Sequence, residues 1–112
     1  MKVSAIVLSM NSEASRNRPV FAEDSVIKSY VSEKLRGYYN IDFFDSMMVN
    51  LEVASDDPIA ICEEIFDVTN NPSRNEDRAA LGLNKVRSLS VGDVVMVEDR
   101  SYVCLPVGWS EI

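Results

Sequence analysis

The stretch Met47–Asp67, MMVNLEVASDDPIAICEEIFD, changes its hydrophobic period halfway along. Met47, Val49, Leu51 and Val53 alternate with Met48, Asn50, Glu52 and Ala54, the two-residue period of a strand with one wet face. Beyond Asp56-Asp57-Pro58 the apolar residues fall instead at Ile61, Cys62, Ile65 and Phe66, one face of a helix, with Glu63, Glu64 and Asp67 on the other. The junction is a helix start in its own right. Asp57 can cap, Pro58 suits a first turn whose N–H would have had no partner, and the carboxylates favour the positive end of the helix dipole. Thr69-Asn70-Asn71-Pro72 ends the helix, because Asn tolerates a left-handed cap and Pro cannot continue the turn.

Upstream, Val3 to Met10 is apolar on both alternating faces, the pattern of a central strand covered on both sides. Asn11 to Pro19 is polar and rich in breakers and reads as a loop. A second helix follows, with Glu23 and Asp24 at its start and Val26, Ile27, Tyr30, Val31 and Leu35 at helical spacing. Lys34 and Arg36 suit its C-terminal end and Gly37 its stop. Tyr38, Tyr39, Phe43 and Phe44, beside Asn40 and Asp42, form an aromatic connector that packs on the core.

Downstream, Pro72 to Lys85 is polar, with only Leu81 and Leu83 as apolar anchors, and reads as a long loop over about 72–86. Val94 to Val97 and Tyr102 to Leu105 are two strands around the turn Glu98-Asp99-Arg100, and Pro106 to Ile112, with Trp109, closes the core edge. The order β-α-β-α-loop-β-β predicts one α+β domain spanning residues 1–112, two helices packed on a small, mostly antiparallel sheet.

Composition narrows the function. The chain has 112 residues, 46% of them hydrophobic, and a net charge of −7, which disfavours direct binding to nucleic acid or to an anionic membrane. It contains no histidine, which removes His-ligated metal sites and His-based nucleophile triads. Cys62 and Cys104 each interrupt an apolar run and read as reduced, buried thiols. The apolar start is too short for a secretory signal and no stretch spans a bilayer, so the expected setting is the cytoplasm. Asp56/Asp57 and Glu63/Glu64 are sequence neighbours and do not face one another on a helix, so neither pair builds an acid/base couple. Ser88 and Ser90 lack an activating histidine, and four glycines are too few for a phosphate-cradling loop. The reading is a non-enzyme that needs no cofactor, with a small hydrolase or transferase as the alternative.

The charge map is the most informative feature. No Lys or Arg lies between Arg36 and Arg74, whereas Asp42, Asp45, Glu52, Asp56, Asp57, Glu63, Glu64 and Asp67 do. They make a candidate surface for a basic protein partner, the plain alternative being a solvated face. Arg74, Arg78, Lys85 and Arg87 make a candidate basic loop, interrupted by Glu76 and Asp77, that would contact phosphate or an acidic partner.

Arg87-Ser88-Leu89-Ser90-Val91-Gly92-Asp93-Val94-Val95 has the physics of a strand-entry turn: Ser90 and Asp93 bond to nearby backbone and Gly92 permits the tight bend. This run, with Tyr102, Cys104 and Gly108-Trp109 after it, resembles the C-terminal signature of the YodL-like group, small uncharacterised proteins of phages, plasmids and integrated elements. Thr69-Asn70-Asn71 before an arginine-bearing segment is similar to the same group. The resemblance covers roughly the last third of the chain. It implies a mobile-element accessory protein and carries over no catalytic residue, only motif positions at Arg87, Ser88, Ser90, Gly92, Asp93 and Trp109. Together these readings predict a protein-interaction module that docks on a basic partner through its acidic surface. The alternative is a nucleic-acid-associated factor using Arg74 to Arg87.

Overall fold

The computed structural model describes residues 1–35 and 43–112. Strand β1 (Lys2–Met10) is followed by a short helix α1 (Ser12–Arg16), helix α2 (Asp24–Leu35), strand β2 (Phe44–Glu52), helix α3 (Pro58–Asn70), helix α4 (Asn75–Ala80) and three strands, β3 (Val94–Val97), β4 (Arg100–Cys104) and β5 (Trp109–Glu111). The strands form one sheet in the order β2-β1-β3-β4-β5, every neighbour antiparallel. The class is α+β, as the order of periods implies.

β1 is central because both its faces are apolar. Ala5 and Val7 join the cluster of Ile61, Cys62, Ile65 and Val68 from α3, whereas Leu8 and Met10 join that of Ala14 from α1 and Ile27 and Val31 from α2. Helices therefore cover both faces of the sheet. Each fully buried aliphatic side chain contributes about 1.5–3 kcal/mol by leaving water. The strand-to-helix junction is built as its residues dictate: the Asp57 carboxylate accepts the Ile59 N–H at 3.1 Å, with Pro58 in the first turn.

Several elements differ from the sequence reading. Asn11 to Pro19 is not all loop: Asn11 caps α1 by accepting the Ala14 N–H at 3.0 Å. Residues 72–86 are not a long loop either. A 3-10 turn (Pro72–Arg74), α4 and a second 3-10 turn (Leu83–Lys85) fill them, because Asn71 caps the first turn, Gly82 takes the left-handed conformation at φ 78°, and Leu83 is fully buried. β5 is a short added strand at the sheet edge. Val26, placed on the apolar face of α2, is 48% exposed. Arg36, Gly37, Tyr38, Tyr39, Asn40 and Asp42 lie outside the described residues. Phe44 opens β2 and is buried, while Phe43 packs under the Lys34 ammonium, 4.4 Å from its ring centre.

Candidate interaction surface

The polar residues of the C-terminal segment are engaged in holding the fold. The Asp93 carboxylate is fully buried and accepts the Met10 N–H and the Ser90 N–H, each at 2.8 Å, while the Arg87 guanidinium bonds both its oxygens. β1 and β3 stop pairing at Leu8 and Val94, so the carboxylate takes the place of the next ladder acceptor for Met10. Gly92 makes room for this turn. It sits at φ 93°, and a Cβ there would lie 3.0 Å from the Met10 terminal methyl. Ser88 donates to the Thr69 carbonyl at 2.6 Å, and Arg18 donates to the Ser90 hydroxyl at 2.9 Å. Trp109 meets Phe66 edge-on at 6.4 Å, tying β5 to α3.

The candidate basic loop is dispersed in the same way. Arg74 binds Glu64, Asp67 at 3.0 Å and Asp77 at 3.0 Å, and these carboxylates, Glu64 foremost, push its pKa up. Arg78 donates to the carbonyls of Leu83 at 3.1 Å, Thr69 at 2.9 Å and Val86. Arg87 faces Asp93 and the Met10 carbonyl. Only Lys85 of the four is exposed without a side-chain bond. No local pattern announces this, since the acceptors are carbonyls and carboxylates distributed over β1, α3, α4 and the turns that follow.

The acidic residues divide. Glu64 and Asp67 share Arg74 with Asp77, Asp57 caps α3, and Glu52 holds the Met1 ammonium at 3.0 Å. Asp45 stands at the start of β2, beside a groove of about 780 Å³ between Ser46, Met47, Lys85 and Arg87. Asp42 lies outside the described residues. Asp56, Glu63 and also Glu76, which the sequence reading set within the basic loop, are exposed and have no bonded partner. Residues 56–78 carry seven carboxylates against two guanidiniums, while residues 12–35 on the other side of the sheet carry four acidic and four basic side chains. The charge asymmetry is thus a property of one layer of the sandwich.

Both thiols are buried and unpaired, and burial pushes each up to about 12. Among the described residues, no group of three or more Cys, Asp or Glu side chains is placed to hold a metal ion, and no helix is long and apolar enough to cross a membrane. Compared with protein-family models, curated proteins and solved structures, the chain matches none.

Proposed function

We propose that the chain is a non-enzymatic protein-interaction module that docks on a basic partner through the α3–α4 layer. The observation that supports this is the segregation of charge: the layer holds a large share of the net −7, with Asp56, Glu63 and Glu76 free on its outside. A one-signed face of this kind steers an oppositely charged protein before contact. The C-terminal resemblance supports the further reading that the module serves a phage- or plasmid-type element in the cytoplasm.

The test begins with affinity purification from the native host and identification of the bound protein. The association rate of that purified protein is then measured with wild type and with the Asp56→Lys, Glu63→Lys, Glu76→Lys variant. Slower association of the variant at low salt supports the reading. Equal rates with both chains folded would overturn it. A nuclease-sensitive nucleic acid as the retained species would favour the Arg74 to Arg87 alternative.

A further inference from the structure

Among the described residues β2 is an edge strand, and the side it turns away from β1 has the features of a docking template. Val53 N–H donates to the Met1 carbonyl and Asn11 N–H to the Phe43 carbonyl, each at 2.9 Å, at the two ends of one register. Bonded and non-bonded pairs alternate along an antiparallel ladder, so Leu51, Val49, Met47 and Asp45 turn their backbone groups toward β1. The N–H and C=O groups of Ser46, Met48 and Asn50 therefore point outward, and no described residue meets them.

Natural edges of this length are blunted by proline, lysine, a bulge or a covering segment. Phe44–Glu52 contains no Pro, Gly, Lys or Arg, and its nine pairs with β1 run without a bulge. The other edge, β5, has only three residues. Met48, at the centre of β2, is 64% exposed. A groove of about 780 Å³, lined by Asp45 together with Lys85 and Arg87, flanks one end of the strand, and a smaller one of about 200 Å³, with Glu52, Glu64, Asp77 and Arg74 on its walls, flanks the other.

We infer that β2 takes an extended segment of a basic partner as a sixth strand, hydrogen-bonded to Ser46, Met48 and Asn50. Strand addition of this kind draws affinity from the main chain and specificity from alternate side chains. The inference rests on the proposed reading of the chain as a docking module and adds the mode of contact. Charge chooses the occupant. Self-pairing of β2 about Met48 would set Glu52 of one copy opposite Phe44 of the other and Asp45 opposite Leu51, so that neither carboxylate meets a cation, and would join two chains of net charge −7. A basic segment meets the same carboxylates with opposite sign.

The probe is a fluorescein-labelled peptide, KRVTVTVK, followed by anisotropy. Saturable binding is expected, weakened about tenfold or more when its central amides are N-methylated, the loss expected from one or two hydrogen bonds. Met48→Pro should weaken it similarly, since the Met48 N–H faces away from β1 and its loss breaks no internal ladder bond. Met48→Lys, which keeps every backbone group, should also weaken it by opposing the basic probe. Binding that survives N-methylation and Met48→Pro but falls in the Asp56→Lys, Glu63→Lys, Glu76→Lys variant overturns strand addition and leaves the docking reading standing. No saturable binding to wild type overturns strand addition. A wild-type dimer that Met48→Pro converts to monomer assigns the edge to a second copy and overturns the basic occupant.

Discussion

Arg87 and Asp93 hold each other through two parallel bonds, Nη2 to Oδ1 at 2.7 Å and Nη1 to Oδ2 at 2.8 Å, around a carboxylate with no exposed surface. Removing the guanidinium leaves a charge buried against β1. Arg87→Ala should therefore cost about 2–3 kcal/mol, less than is usual for a broken buried pair because Arg87 is itself 40% exposed. Adding Asp93→Asn to that variant should recover part of the loss. Urea unfolding of the two single variants and the double variant measures the coupling, and purely additive losses would show that the pair does not act as a unit.

Arg78 stabilises the segment after α3 through three carbonyls on three different residues. Lysine carries the same charge but lacks the planar fork. Arg78→Lys is expected to cost about 1–2 kcal/mol, nearly as much as Arg78→Ala. Limited proteolysis should then nick first between Pro72 and Lys85. A variant as stable and as resistant as wild type would show that charge alone suffices.

Both thiols are raised from an ordinary 9.0 to about 12, chiefly by burial. The folded state thus prefers the neutral thiol, and the unfolded chain ionises first as pH rises. Their contribution is intact below pH 9 and is lost between about pH 9 and 12. At pH 8 Cys62 and Cys104 should react with a disulfide reagent only at the rate of unfolding, and rapid native labelling would contradict their burial.

Reversing Asp56, Glu63 and Glu76 to Lys should change stability by no more than about 0.5 kcal/mol per site, since each is exposed and holds no partner. Reversing Glu64 and Asp67 is different, because it turns two partners of Arg74 against it. Thermal melts of the two sets separate a steering role from a structural one. Equal losses would mean that the outer carboxylates also support the fold.

Gly92→Ala should destabilise by about 2 kcal/mol, combining a backbone at φ 93° with a Cβ pressed on Met10. Met10→Ala in the same chain removes the contact and leaves only the backbone strain. Denaturation of the pair of variants apportions the two, and a neutral Gly92→Ala would show that the turn can relax.

The parts of this fold legible in the sequence are those decided within a few residues. The change of period across Met47–Asp67 and the cap at Asp57 depend on near neighbours, and both appear where the pattern puts them. Residues 72–86 differ from the loop their polarity implies because, beside the Asn71 cap and the Gly82 turn, Arg74 and Arg78 reach groups contributed by α3 and the later turns, which no local pattern encodes. The candidate site shows the same division. Exposed carboxylates on α3 are readable from periodicity, whereas the neutralising role of Arg74 is not. Asp93 looked like a turn residue, and its grip on Met10, 83 positions away, is visible only in three dimensions. The open edge of β2 depends on strand order, which the period of a single strand does not carry.

The position of β1 has a consequence for how the chain assembles. Lys2 pairs with Glu52 and Leu8 with Val94, so the first strand is enclosed only when partners from the middle and the last fifth of the chain have both arrived. Each pairing closes a long loop before any contact repays it, which makes for slow folding. During synthesis this strand, apolar on both faces, waits unpaired on one side until Val94 to Val97 emerge. The arrival of β3 thus ends the period in which the nascent chain is most exposed to misassociation.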